Sequence, residues 1–128
     1  MKLIASTQHT APATGQIAIE VSNDVDPREL RLEGIHRVDL NFPKFSDGRA
    51  FSQAVMLRRR LGFKGEIRAT GDVLIDQLVQ MHRSGFDVAV LREDQNPEVA
   101  QRQFDRYSAY YQGDVLNKPN FLESGAGI

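Results

Sequence analysis

The residues of this chain best suited to chemistry are carboxylates, guanidiniums and one ammonium in short turns: Asp24, Asp26, Lys44, Asp47, Arg49, Asp72, Asp76, Arg92 and Asp94. Asp47, Asp72 and Asp76 are the candidate catalytic groups, as acids, bases or ligands. Arg49, Arg92 and Lys44, with the backbones of Gly48 and Gly71, are the candidate ligand-binding groups. Guanidinium forks and free amides at helix starts both donate to small oxyanions and phosphates. No metal is expected. Were one bound, Asp47, Asp72 and Asp94 would supply the hard oxygen donors that Mg²⁺ takes.

Plainer roles compete at each position. Asp47 and Asp72 stand where a helix N-cap belongs. Asp76, one turn after Asp72, suits an ion pair on a helix surface. Arg49 falls in the first turn of a helix, against the macrodipole, so it should grip an anion: Asp47, Asp72 or an external one. The run Arg58-Arg59-Arg60 reads as a solvated face, His82 as the edge of a core, and His36 as exposed. Tyr107, Tyr110 and Tyr111 read as packing first and a dimer surface second.

Composition removes whole classes of function. The 128 residues fit one domain, and the chain has no cysteine, so it has no thiolate nucleophile, redox dithiol or ordinary iron–sulfur ligand set. Its three histidines, His9, His36 and His82, are too dispersed for a zinc pair. The sole Gly-x-Gly, Gly125-Ala126-Gly127, has no helix after it, so no dinucleotide loop and no cofactor is evident. Sixteen basic residues against 17 acidic ones leave a net charge of −1, which argues against nucleic acid. No apolar run approaches a membrane span or a signal peptide, so the expected location is cytoplasmic.

Those residues need a scaffold, and hydrophobic patterning supplies one. Residues 1–15 lack periodicity and read as a flexible or edge-lying arm. Strands are expected at 17–21, 35–42, 66–69 and 87–91, helices at 50–61, from Asp72 to His82, and from Asn96-Pro97 to about residue 112. Residues 113–128 read as an irregular tail. Strands alternating with helices imply right-handed crossovers, hence an α/β domain over 16–112 with a mostly parallel sheet of about four strands, flavodoxin-like or half-barrel-like. In such a sheet the loops after the strands gather at one edge, which would bring the charged turns together. Two free sheet edges and an aromatic last helix make a homodimer the expected assembly.

Between Phe42 and Phe86 the chain resembles one bacterial family. The runs are Phe42-Pro43-Lys44-Phe45-Ser46-Asp47-Gly48-Arg49-Ala50-Phe51-Ser52, then Gly65-Glu66-Ile67-Arg68-Ala69 and Gly71-Asp72-Val73-Leu74-Ile75-Asp76-Gln77. The family is the domain-of-unknown-function family 934, whose members are often labelled oxidoreductases of sulfite reduction. The resemblance extends from about Ile17 to Gln112. It implies an accessory protein of assimilatory sulfite reduction that binds the reductase or its electron donor, and it transfers no established role to any residue. Two other readings stand beside it: a small-oxyanion-binding protein or enzyme with an Arg/Asp site at the strand ends, and a flavin- or nicotinamide-dependent oxidoreductase. The missing cysteine and dinucleotide loop count against the last. The residues leave open whether the chain is an enzyme.

Overall fold

The computed structural model describes residues 1–44 and 46–117, with side chains through Tyr107. Phe45, the side chains of Tyr110 and Tyr111, and residues 118–128 with their Gly125-Ala126-Gly127 lie outside the described residues. Five strands form one sheet: β1 (Lys2–Ala5), β2 (Ala18–Val21), β3 (Arg37–Phe42), β4 (Glu66–Gly71) and β5 (Val88–Leu91). The helices are α1 (Arg49–Val55), α2 (Leu78–Ser84) and α3 (Pro97–Asn117). Every strand pairing is parallel, in the order β1-β5-β4-β3-β2. The α/β class and the single parallel sheet are those expected from the sequence. From β2 to β5 neighbours follow chain order, the sequential layout of a half-barrel.

The fifth strand adds one to the four expected, and it lies at an edge of the sheet. It lies in the segment read as an arm, where Lys2–Ala5 pair with β5 from Lys2↔Val88 to Ala5↔Leu91. Four residues ahead of a polar stretch carry no local strand signal, because the partner that organises them sits near the other end of the chain.

Crossover handedness explains the two faces of the sheet. Right-handed connections that step from β2 to β5 all pass over one face, so the helices stack there. Val38, Leu40, Phe42, Ile67, Ala69 and Leu91 point into that layer, and the ring of Phe42 meets Phe51 and Phe86 at 5.1 and 5.7 Å. The connection from β1 to β2 runs in the opposite direction across the sheet. The same handedness puts it on the opposite face, where residues 6–17 form a strap. His9 lies 3.6 Å from Asp39 and 3.0 Å from Arg68, and Arg37 donates to the Thr10 carbonyl at 3.1 Å.

Helix boundaries depart from expectation where side chains had other partners. The first helix does not run unbroken to Leu61: it ends at Val55 and widens into a π-helical turn, Met56–Arg60. That turn keeps Leu57 in the core and sets Arg58 at the amino-terminal ends of β4 and β5. Arg58 is therefore not a solvated residue. It donates to the carbonyls of Gly85 (3.0 Å), Phe63 (2.9 Å) and Gly65 (2.7 Å) and pairs with Asp87. Arg59 and Arg60 are exposed.

Asp72 is not an N-cap either. Its amide extends the β3–β4 ladder by donating to the Phe42 carbonyl (2.7 Å), and α2 begins at Leu78 after a 3₁₀ turn, Ile75–Gln77. The expectation for α3 holds at its start: the Asn96 side chain accepts from the amides of Glu98 (2.9 Å) and Val99 (3.3 Å). Its end does not. The helix continues to Asn117, through residues read as irregular tail. No described helix is long and apolar enough to cross a membrane.

Candidate functional site

The loops after the strands do collect at one edge, but their charges close on one another. At the loops after β2 and β3, Arg49 donates through Nε and Nη2 to both oxygens of Asp47, at 3.1 and 2.7 Å. The backbone amide of Arg49 reaches the same carboxylate at 3.1 Å, and Asn23 donates to it at 2.7 Å. Gly48, not Asp47, occupies the N-cap position of α1. Asp47 instead makes an Asx-type turn onto the residue two ahead, which leaves its carboxylate facing the Arg49 fork.

The Asp26-Pro27-Arg28 turn repeats the device. The Arg28 amide donates at 3.0 Å and its guanidinium at 2.7 Å to Asp26. At the loops after β4 and β5, Arg92 binds Asp94 through Nη2 (2.7 Å) and Asp72 through Nη1 (2.7 Å), tying the two loops together.

These contacts set the protonation states. The Arg49 fork, then its amide and Asn23, holds Asp47 far below the usual carboxylate range. Arg28 does the same for Asp26, Arg92 for Asp94, and the Ser22 hydroxyl for Asp24. The reciprocal effect raises Arg92, through Asp94 first and Asp72 second. Asp76 lies exposed in the 3₁₀ turn. Among the described residues no three His, Cys, Asp or Glu side chains gather as a metal set. Asp47, Asp72 and Asp94 face arginines instead of a shared cation position.

The glycines have structural work. Gly71 takes φ +90°, and a Cβ there would lie 2.4 Å from the Phe42 carbonyl oxygen, so the β3–β4 approach excludes any side chain. A Cβ on Gly48 would meet nothing closer than 3.9 Å. Lys44 is exposed, and its carbonyl accepts from the Asp47 amide in the turn.

The strap completes this edge in a way the sequence reading missed. Ser6 and His9 border an open cleft of about 500 Å³ with Thr70, Gly71, Arg92 and Asp94. A second cleft, about 920 Å³, runs from Ala5–Gln8 to the start of α3 and shares Ser6, Arg92, Glu93 and Asp94 with the first.

Beneath the strap lies a charge checkerboard. Arg37 pairs with Asp39 along β3 (2.9 Å), Glu66 with Arg68 along β4, and the register sets Arg37 beside Glu66 and Asp39 beside Arg68. Asp39 is only 3% exposed. The signal was present as charges at period two in both strands, Arg-Val-Asp-Leu and Glu-Ile-Arg-Ala, where a parallel strand buried on both faces would read as continuously apolar.

Comparison with known proteins adds one finding. A family model described as "Bacterial protein of unknown function (DUF934)" matches residues 16–121, and the chain belongs to that family. No curated protein and no solved structure matches it.

Proposed function

We propose that this member of the DUF934 family is an accessory binding protein of assimilatory sulfite reduction, which docks on the reductase or on its electron donor through the strand-end edge. One observation carries the binding mode: each candidate arginine at that edge is already closed by carboxylates, Arg49 by Asp47 and Arg92 by Asp72 and Asp94. A free anion would have to displace a preformed ion pair. A protein surface can meet the same pairs through their unused donors and lone pairs without breaking them. The link to sulfite reduction rests on the family resemblance. Docking in a reducing cytoplasm suits a chain without cysteine.

The test is calorimetric titration of the full chain with purified sulfite reductase and, separately, with its electron donor. The expected result is saturable binding to one of them, weakened at least tenfold when Arg49 and Arg92 are both changed to Glu. No heat with either protein up to about 100 µM, a concentration at which a millimolar-or-tighter complex of ~−4 kcal/mol begins to form, would overturn the reading.

The oxyanion reading keeps one supporting observation: Arg92, about 39% exposed, borders both clefts. A thermal-shift series with sulfite, sulfate, phosphate, Mg²⁺, flavin and nicotinamide nucleotides separates the two. Saturating ligand at ~100 times its Kd would raise the melting temperature by several degrees, and an Arg92→Ala change would abolish that rise.

A further inference from the structure

The two edges of the sheet are finished differently. At the β1 edge, Leu3 donates to Gln101 Oε1 (3.1 Å), Gln101 Nε2 donates back to the Met1 carbonyl (3.4 Å), and Ala5 donates to Gln8 Oε1 (2.9 Å). Two glutamine side chains thus occupy the places another strand would take. The β2 edge ends the sheet on the other side. Arg37 and His36 both donate to the Ile17 carbonyl, which fixes the phase of the β2–β3 ladder. Alternation along a parallel strand then turns the amides and carbonyls of Ile19 and Val21 toward β3, and those of Ala18 and Glu20 outward. Ile17, at the start of this edge, is 52% exposed.

We propose that the β2 edge binds the β2 edge of a second copy of this chain, joining two five-stranded sheets into one. Two-fold symmetry requires antiparallel pairing, and the outward groups of Ala18 and Glu20 fix which registers are allowed. A register centred on Glu20 sets two carboxylates directly opposite and is unfavourable. Centring on Ile19 pairs Ala18 with Glu20 of the other copy, forms four backbone hydrogen bonds, and sets Ile17 opposite Val21 on the helix side. Val21 is already buried in its own protomer, so the pairing mainly covers the exposed Ile17. Like charges meet only diagonally, Glu20 to Glu20. A four-residue edge buries little area, so the dimer is weak and transient.

The absence of native cysteine gives a direct test on the full chain. In the proposed register the two Ile19 positions face each other as a non-hydrogen-bonded pair, within disulfide reach. Ile19→Cys should cross-link to a covalent dimer under mild oxidation, at least tenfold faster than Ala18→Cys. Sedimentation equilibrium from about 5 to 500 µM should show a monomer–dimer equilibrium. Ala18→Pro removes an outward amide without touching the β2–β3 ladder, and should keep the melting curve while weakening the dimer at least tenfold. Glu20→Thr should tighten it. A monomer at every concentration overturns the proposal, as does a dimer that Ala18→Pro leaves unchanged. Loss of the dimer on ending the chain at Asn117, with Ala18→Pro still dimeric, would move the interface to residues 118–128.

Discussion

The two ends of the sheet use arginine in opposite ways. At the amino-terminal end Arg58, 22% exposed, donates to three main-chain carbonyls and to Asp87, whose Oδ2 also accepts from the Ile67 amide (2.9 Å). Three stretches of chain, around Arg58, 63–67 and 85–87, meet on that one guanidinium and its carboxylate. At the carboxyl-terminal edge Arg49, 61% exposed, holds a carboxylate two residues away, and Arg92 joins two loops in reach of water. Acceptors that are distant in sequence make an arginine a fastener of the fold. Acceptors two residues away, as for Arg49, make it a feature of one loop, screened by solvent, while Arg92 lies between the two cases because it also reaches Asp72. The strap face resembles the fastener end, because Asp39 and Arg37 are buried and bring Thr10 and His9 down onto β3 and β4.

That contrast can be broken by substitution. The largest effect is expected at Asp39→Ala, which leaves the buried Arg37 without its carboxylate and costs about 3–5 kcal/mol. Chemical denaturation should show the loss, and a broad-specificity protease should cut within residues 6–17 of the variant faster than of the parent. Arg58→Ala should follow at about 2–4 kcal/mol, since carbonyls of Phe63, Gly65 and Gly85 lose a charged donor together. A melting temperature unchanged within about 2 °C would show that the fastener reading is wrong. Gly71→Ala should cost about 2–3 kcal/mol through its positive φ and the clash with the Phe42 carbonyl.

Arg49→Ala should barely move the melting temperature at neutral pH, as exposed pairs do. That small loss should be present at neutral pH and vanish in acid. Asp47 is depressed in the folded protein, so its contribution is present above an unfolded pKa of about 3.9 and fades as pH falls through the lower folded value. Without Arg49 that folded value returns toward normal, and the gain in stability between about pH 2 and 4 disappears.

The smallest effect belongs to His82, whose ring stands edge-on to Phe104 at 5.5 Å and is lowered by burial, then by the amino terminus. A histidine depressed on folding favours the native state above an unfolded pKa of about 6.5 and opposes it as pH falls below. His82→Phe should flatten the melting temperature between about pH 5 and 6.5, and an unchanged slope would place that titration elsewhere.

Much of the scaffold was legible because it is local. Val38, Leu40 and Phe42 alternate, Ala50, Ala54 and Leu57 repeat at helical spacing, and Asn96-Pro97 announces a helix start; each is found by looking a few residues either way. The strand-end turns were legible for the same reason, and Arg49 does grip Asp47, one of the anions its position suggested. Asp72 shows where local reading ends. Its surroundings look like an N-cap, and what redirects it is Arg92, on a loop that only the β4–β5 pairing brings near. Arg58 misled likewise, because three adjacent arginines resemble a solvated face until Gly85 and Asp87 are placed beneath one of them.

By itself, then, the amino-acid sequence determined the class of fold, the direction of its crossovers and the exclusion of thiol chemistry, since periodicity, handedness and composition are properties of short segments or of the whole list. Tertiary structure alone decided that Lys2–Ala5 is a strand, that residues 6–17 cross the second face, and which edge of the sheet is closed by Gln101 and Gln8. Each of those depends on a partner far along the chain, and a contact between distant residues has no signature until folding has brought both to one place.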